Sequence, residues 1–531
     1  MARTAPRPAP TADRTLRPLG TSCPLCRQRL RNVYFNYRTI STLTAVLRLR
    51  LQICWCTNRA CERYRRPYRP EEEGRLALPV HEFGLDVVAL IGALRYRQHR
   101  TVPEIHRELC QRGVVISERS VTNLLDRYDE LLALSLADRG RLQRVTREHG
   151  RVILALDGLQ PDVGHEVLWV LRDCLSGEVL LARCLLSATQ DDLAALLREV
   201  RDALPVPIAG VVSDGQHSIR KAVAKALSGV PHQLCHFHYL REAARPIYEA
   251  DRHAKKELKK RVRGVRPIER AVEGRSDPQA EVIAGYCAGA QCLNRRWASA
   301  VRGSGVEAAP ALDSRGQQFA ARGAKRGLPP ELTKLRTLLE RGLKQTQTFW
   351  PAIRAAYAWV HRAAHILKHA EGQTASQVRR RYATLIRALK RSARRVGKFH
   401  GALQHFVKVT RSYWPGLFAC YDVPDLPRTN NALEQFFGAG RYHERRVRGT
   451  KAASPGLVLR GSVRLVAAAA TRLRAVSGPE LAPTKVEAWK NLRHELEKRR
   501  RHRAARWRFR RDPAAYLTHL ERELIQLILL A

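Results

Sequence analysis

The chain reads as a multidomain α/β protein: a mixed sheet, interrupted by a large all-α insertion, follows two small N-terminal modules. Three observations carry that reading. Between two pairs of cysteines, "VYFNYRTISTLTAVLRLRLQI" alternates apolar and polar residues as strands do. From 151 onward, short apolar runs are interleaved with amphipathic helical patterns, as in a sheet covered by helices. From about 237 to 425 strand signals nearly vanish and the text becomes Arg- and Ala-rich helix. A chain of 531 residues divides into several domains, and 44% hydrophobic residues suffice for real cores.

Charge narrows the partner. The 95 Lys and Arg against 49 Asp and Glu leave +46. Such self-repulsion is kept when the partner is polyanionic, and nucleic acid is the leading candidate. An anionic membrane surface is the alternative, but no run approaches ~18 apolar residues, so no spanning helix is expected. The opening "MARTAPRPAPTADRTLRPLG" lacks the apolar core of a secretory signal. Residues 1–20 are expected to be a disordered basic, Pro-rich leader, with a transit-like segment as the alternative. The 12 Cys are too sparse for a disulfide scaffold, which points to a reducing cytosol where clustered cysteines indicate metal.

The first such cluster defines a module over 21–70. "CPLC" and "CWCTNRAC" flank the β segment, the layout of a zinc ribbon, in which a hairpin brings two chelating turns together around a tetrahedral Zn²⁺. The expected ligands are Cys23, Cys26, Cys56 and Cys61; Cys54, two residues from Cys56, competes but is expected to face the hairpin core. The next module, 80–140, shows three helical patterns. Thr101 and Glu104 form a capping box, Gly113 supplies a turn, and a third helix starts near Ser117 or Ser120 with Val121, Leu124, Leu125 and Tyr128 on one face. Helix, Gly-containing turn and helix in a basic chain suggest a helix-turn-helix, with 118–128 as recognition helix and Arg119, Ser120 and Asn123 toward DNA. An ordinary helical linker is the competing reading.

Residues 150–240 read β-β-β-α-β-α-β, with a Ser-Gly hairpin turn at 176–177. "RVILALDG" and "IAGVVSDG" are apolar strands ending in Asp157-Gly and Asp214-Gly. After the helical insertion, 241–425, the segment 426–475 contains "TNNALEQFF" with Glu434, and a basic helical tail follows at 476–531, where Trp507 and Phe509 are interleaved with Arg. Phosphodiester chemistry needs two divalent ions about 4 Å apart on hard oxygen ligands, and two or three carboxylates suffice. Acids at the ends of adjacent strands would share one crevice, the Gly after each allowing close approach of a phosphate. Asp-Gly is also a turn dipeptide, so either Asp alone has a structural reading. Asp162, Asp173 and Asp191 rank lower because none follows an apolar strand into a Gly. Arg441, His443, Arg445, Arg446, Arg448 and Lys451 would neutralise phosphate near Glu434, unless they form a solvated face. Asn430 and Asn431 stand where they cap its helix. Cys287 and Cys292, and the i, i+4, i+8 set His361, His365 and His369, read as buried thiols and a surface face rather than metal ligands.

The β-β-β-α-β-α order with acids after the first and fourth strands resembles the RNase H-like fold. The set Asp157, Asp214, Glu434 looks like the triad of DDE transposases. "TNNALEQFF" is similar to the segment before the final Glu in bacterial insertion-sequence transposases, and an N-terminal zinc ribbon with a helix-turn-helix also occurs there. The long helical insertion resembles the Mutator-like and hAT-like branches. Cys235 and His238 in "PHQLCHFHYL" form a C-x-x-H that resembles the one in Mutator-like transposases, with His236 expected to point the other way if 232–236 is a strand. The resemblance covers roughly 150–450. It implies Mg²⁺ or Mn²⁺ held by Asp157, Asp214 and Glu434, with Cys235, His238, Asn430 and Asn431 accessory to the site. It also implies Zn²⁺ in the ribbon, double-stranded DNA (element terminal inverted repeats and target) as partner, a homodimer or higher assembly, and a cytoplasmic, nucleoid-associated protein. The alternatives are a transposase-derived DNA-binding regulator without catalysis, and an RNase H-like nuclease.

Overall fold

A computed structural model describes residues 8–160, 166–186, 188–261, 264–296, 329–368, 372–392, 399–449, 455–483 and 485–530, except the side chains of 278, 289–296, 392, 455, 456, 527 and 530. It is a mixed α/β chain with two small sheets, divided into one unit of Met1–Gln233 with Asp425–Ala531 and a second of Leu234–Pro424.

The first unit opens with strands β1 (Ala12–Leu16), β2 (Arg31–Ser41) and β3 (Val46–Trp55) in the order β1-β3-β2. The β2–β3 hairpin is antiparallel and β1 runs parallel to β3. Alternation sends Leu49, Leu51 and Ile53 into a core with Leu16, Ile40 and Ala77, while Arg48 and Arg50 face out. Helix α1 (Glu71–Leu76) runs into Ala77 and brings Leu76 to that core. The leader expected to be disordered over 1–20 is therefore ordered from Ala12: Leu16 is buried, and the Leu19 amide donates to Glu71 at 2.8 Å. Residues 1–7 lie outside the described residues.

Helices α2 (Leu85–Tyr96), α3 (Val102–Gln111), α4 (Glu118–Leu136) and α5 (Arg139–His149) follow. The Thr101–Glu104 capping box starts α3, Gly113 turns with φ +81°, and the Ser117 hydroxyl caps α4. Helix α4 outruns the expected 118–128 because its apolar stripe continues through Leu131, Leu132 and Leu136. These helices do not form a module of their own. Their core includes Val466, Ala467 and Ala468, together with Trp489 near the start of a long basic helix, Val486–Arg511. Buried acids on α4 explain why. Asp129 accepts from the Tyr96 hydroxyl (2.6 Å) and Arg464 Nε (3.2 Å), and Glu130 from Arg460 Nη2 (2.9 Å) and Trp489 Nε1 (2.8 Å). A buried carboxylate is tolerated only with such partners, and three of these four, Arg460, Arg464 and Trp489, come from the C-terminal segment.

The second sheet comprises β4 (Val152–Leu159), β5 (Val167–Asp173), β6 (Val179–Leu185), β7 (Ile208–Ser213) and β8 (His232–Leu234), ordered β6-β5-β4-β7-β8. The β4–β5 and β5–β6 pairs are antiparallel, and β4–β7 is parallel. Helices α6 (Gln190–Ala203) and α7 (His217–Ala226) bury Leu193, Leu197, Ile219 and Val223 against Leu154, Leu156 and Val211.

The second unit holds, in chain order, α8 (His236–Ala243), α9 (Arg245–Arg261), α10 (Val265–Val272), α11 (Pro278–Arg296), α12 (Pro330–Thr346), α13 (Trp350–Lys368), α14 (Ala375–Ser392) and α15 (His400–Tyr413). Its central core packs Tyr239, Tyr382, Phe406 and Phe418, with the Tyr239 hydroxyl 2.7 Å from those of both Tyr382 and Thr410. The strand expected over 232–236 stops at Leu234. His236 opens α8 instead, its Nε2 donating to the Leu417 carbonyl at 2.8 Å, so the insertion starts at the C-x-x-H rather than at 241. Back in the first unit, α16 (Asn431–Arg448) packs on β4, and α17 (Pro455–Leu473) on α4 and β6; α18 (Val486–Arg511) and α19 (Pro513–Leu530) end the chain. Among the described residues, no helix is long and apolar enough to cross a membrane.

Candidate functional site

Register places the two Asp residues side by side. Leu156 of β4 pairs with Ser213, the last residue of the parallel β7, so Asp157 on β4 and Asp214, one residue past the end of β7, each directly follow a paired residue. Glu434 lies in the first turn of α16, the helix against β4. The Asp157 carboxyl is pushed from its ordinary 3.8 up to about 7, by burial first and then by the charges of Asp214 and Glu434. The Gly158 amide and Arg441 act against that rise. Three acids from distant parts of the sequence thus share one electrostatic environment, with one arginine beside them. A bound cation beside Asp157 would favour its charged form, as burial and the neighbouring acids favour its protonated one.

The structure corrects two details. Asp157 does not end its strand: β4 continues through Gly158 to Leu159 because β5 stays paired alongside, Asp157 opposite Val170. Nor is Gly158 small for a phosphate's sake. A Cβ there would sit 3.0 Å from Val167 Cγ1 and 3.2 Å from the Trp169 ring, so the glycine accommodates the neighbouring strand. Gly215 is a turn residue, with φ +86°.

Asp214 is held by a network that the sequence did not disclose. Its Oδ1 accepts from the Gln216 amide at 2.9 Å. Ser213 Oγ lies 2.9 Å from His232 Nε2, and Arg220 Nε donates to the Gly215 carbonyl at 2.7 Å. Burial, with Arg220 nearby, pushes His232 down to about 4, which keeps it neutral at ordinary pH. Only its place in the His-rich stretch 231–238 hinted at a role.

The lower-ranked acids separate cleanly. Asp173 is buried and accepts from the amides of Ile153, Leu175 and Ser176, a hairpin-shaping role. Asp191 is exposed and paired with Lys225 at 2.7 Å. Asp162 lies outside the described residues.

On α16, Arg441, Arg445 and Arg446 are exposed, and Arg448 pairs with Glu444 at 3.6 Å. His443 does not face phosphate. It is buried, 2.8 Å from His99 between the Nδ1 atoms, and burial with the Arg95 charge pushes it down to about 3. Lys451 lies outside the described residues. Asn430 occupies the N-cap position and is buried, but its side chain makes no capping bond; its carbonyl accepts the Leu433 and Glu434 amides at 3.1 Å. Asn431 is exposed at the first helical position.

On α4, Arg119 and Asn123 are exposed. Ser120 belongs to the cap: its hydroxyl lies 3.0 Å from that of Ser117, which accepts the Ser120 amide at 3.2 Å. Cys235 and His238 fall in the second unit, whereas all three acids fall in the first. Cys235 is fully buried at the N-cap of α8, and His238 stacks edge-on against Phe237.

A second cluster gathers the sulfurs of Cys23, Cys26, Cys56 and Cys61 within 4.8 Å of one another. Cys23 and Cys61 are 3.8 Å apart and Cys26 and Cys56 3.5 Å. Disulfide sulfurs would be about 2 Å apart, whereas a tetrahedron with arms of about 2.3 Å has edges of about 3.8 Å. Tight turns shape both knuckles, with positive φ at Arg27 (60°) and Arg65 (52°). The Cys26 and Leu25 amides pull the Cys23 thiol down to about 6, while burial pushes Cys56 up to about 12. Cys54 stays outside the cluster, as expected, but not in the hairpin core: alternation puts it on the face opposite Leu51 and Ile53, its backbone paired with Tyr68. Cys287 is buried in α11, and the Cys292 side chain lies outside the described ones; His361 and His365 are exposed on α13 and His369 is not described. No protein-family model matches the chain, and no curated protein matches it.

Proposed function

We propose that the chain is a DDE-type DNA transposase, with an RNase H-like core split by the helical unit. The observation that carries this reading is the placement of Asp157 and Asp214 directly after the paired Leu156 and Ser213 of two parallel strands, with Glu434 in the first turn of the helix packed on β4. The element order β-β-β-α-β-α-β and the adjacency of β4 and β7 are those on which the sequence resemblance rests.

Asp157, Asp214 and Glu434 are the residues that would hold Mg²⁺ or Mn²⁺; their carboxylates are not drawn together to within 4.8 Å as the four cysteine sulfurs are, so an ion would have to gather them. Such ions, when bound, activate the attacking oxygen and stabilise the leaving one. The rest falls to the chain. Ser213, His232 and Arg220 fix the turn that presents Asp214, and the neutral His232 adds no competing charge. The α16 packing on β4 sets the position of Glu434. Arg441, beside Asp157, is placed to meet a phosphate, and Arg445, one turn on, extends that basic face. The helix-turn-helix α3–α4 offers Arg119 and Asn123 to base edges in the major groove. The four cysteines have the number, spacing and burial for a structural Zn²⁺ that fixes the hairpin ends of a ribbon.

The test is strand transfer by the full chain, with Mg²⁺ or Mn²⁺, on DNA carrying the ends of the element that encodes it. Cleavage at those ends and joining to target DNA is the expected result. Tight, specific binding of the ends without cleavage in either metal would favour the regulator.

A further inference from the structure

The open face of the N-terminal sheet has no part in the scheme above, yet it carries an unusual concentration of arginines on aromatic rings. Arg50 lies 3.9 Å from the Phe35 ring centroid and Arg48 5.2 Å from that of Tyr37. At the metal-proximal end, Arg63 lies over Tyr68 at 5.8 Å and Arg65 over Tyr64 at 5.4 Å. Four such contacts fall within residues 35–68, within the distance at which a guanidinium is attracted to a ring face.

Register makes the first two a single surface. Tyr37 pairs with Arg50, Phe35 with Gln52 and Thr39 with Arg48, so rings and guanidiniums alternate on the face opposite Leu49 and Leu51. Cys54 follows Gln52 on that face by alternation, and Tyr68 pairs across from it, continuing the row toward the cysteine cluster. Tyr37 is 54% exposed.

Charge separates the two faces. On the covered side the arginines are neutralised: Arg14 by Glu72, and Arg38 and Arg69 by Glu73. On the open side Arg48, Arg50, Arg63 and Arg65 form no ion pair among the described residues; Asp13, in register with Arg48, is not bonded to it. These cations are held in place by rings rather than by acids, which leaves their N–H donors for an anion.

We propose that this face binds unpaired DNA, its bases stacking on the Phe35, Tyr37 and Tyr68 row while the arginines take the phosphates. Rings on an open sheet suit splayed bases, whose faces are accessible, better than a duplex, whose faces are stacked away. The inference rests on the DNA-processing reading for the source of such a strand, the single-stranded DNA opened at a cut end. It does not depend on cleavage.

The test uses the full chain carrying Asp157→Asn, so that cutting plays no part. Binding of a fluorescent ten-nucleotide oligothymidylate is followed by anisotropy in saturating unlabelled duplex, which occupies duplex sites. Phe35→Ala and Tyr37→Ala should each weaken binding about ten-fold, with bound zinc and circular dichroism unchanged. An abasic oligomer of equal length, with the same phosphates, should bind at least ten-fold more weakly and be indifferent to both substitutions. Complete competition by the duplex would make the face a duplex surface and overturn the proposal. So would equal binding of oligothymidylate by the parent and a Phe35→Ala/Tyr37→Ala double variant. Loss of strand transfer in the otherwise wild-type chain bears on the catalytic reading alone.

Discussion

Replacing Asp157 by asparagine removes a charge from a partly buried position that feels two other acids. The carboxyl sits at about 7 against an ordinary 3.8. Each pKa unit corresponds to about 1.4 kcal/mol, so holding the group ionised at pH 8 costs up to about 4 kcal/mol. The residue is only partly buried, and solvent screening roughly halves that figure, leaving about 2 kcal/mol. The sign follows from linkage. A raised folded-state pKa means that between pH about 4 and 7 the folded chain holds a proton the unfolded chain has released, so this group's contribution to stability falls as pH rises through that window. The substituted amide has no proton to lose. Thermal unfolding of the metal-free protein at pH 8 should show the variant's midpoint raised by roughly 3 °C, with the gain shrinking at pH 5. Added Mg²⁺ at pH 8 should raise the wild-type midpoint and leave the variant's nearly unmoved. A variant no more stable than wild type at pH 8, or one whose gain is the same at pH 5, would refute the account of burial and neighbouring charge at Asp157.

Other consequences can be checked separately. The purified chain should hold one zinc per polypeptide by elemental analysis, and Cys26→Ser should lose it and make residues 12–69 sensitive to protease. Arg119→Ala or Asn123→Ala should weaken binding to element ends about ten-fold in a mobility-shift assay, whereas Ser120→Ala should leave it unchanged and lower stability by less than about 1 kcal/mol, since its hydroxyl serves the α4 cap. Arg464→Ala strands the buried Asp129 carboxylate and should destabilise the first unit by about 3–5 kcal/mol in urea unfolding.

What the sequence disclosed was local or strongly patterned. The Thr101–Glu104 box, the Gly113 turn and the cysteine spacing are short-range signals, and the structure contains each as read. The two Asp residues were legible because apolar runs lead into both. What stayed hidden depends on distant pairing. Strand β1 buries only Leu16, so it has no periodicity to notice. Asp129, Glu130 and Arg464 look like a solvated helical face until α4 and α17 come together. His443 reads as one of several basic residues, but the helical face it occupies turns inward against His99. Gly158 shows that the right residue can be noticed for the wrong reason, because the strand that crowds it arrives later in the chain.

The central claim, that Asp157, Asp214 and Glu434 form one metal-dependent cleavage site, is tested most directly by single-turnover cleavage of end-bearing duplex in Mn²⁺. Asp157→Asn, Asp214→Asn and Glu434→Gln should each lower the cleavage rate by at least about a thousand-fold while binding the duplex as tightly as wild type. Full-rate cleavage by any one of the three would contradict that claim.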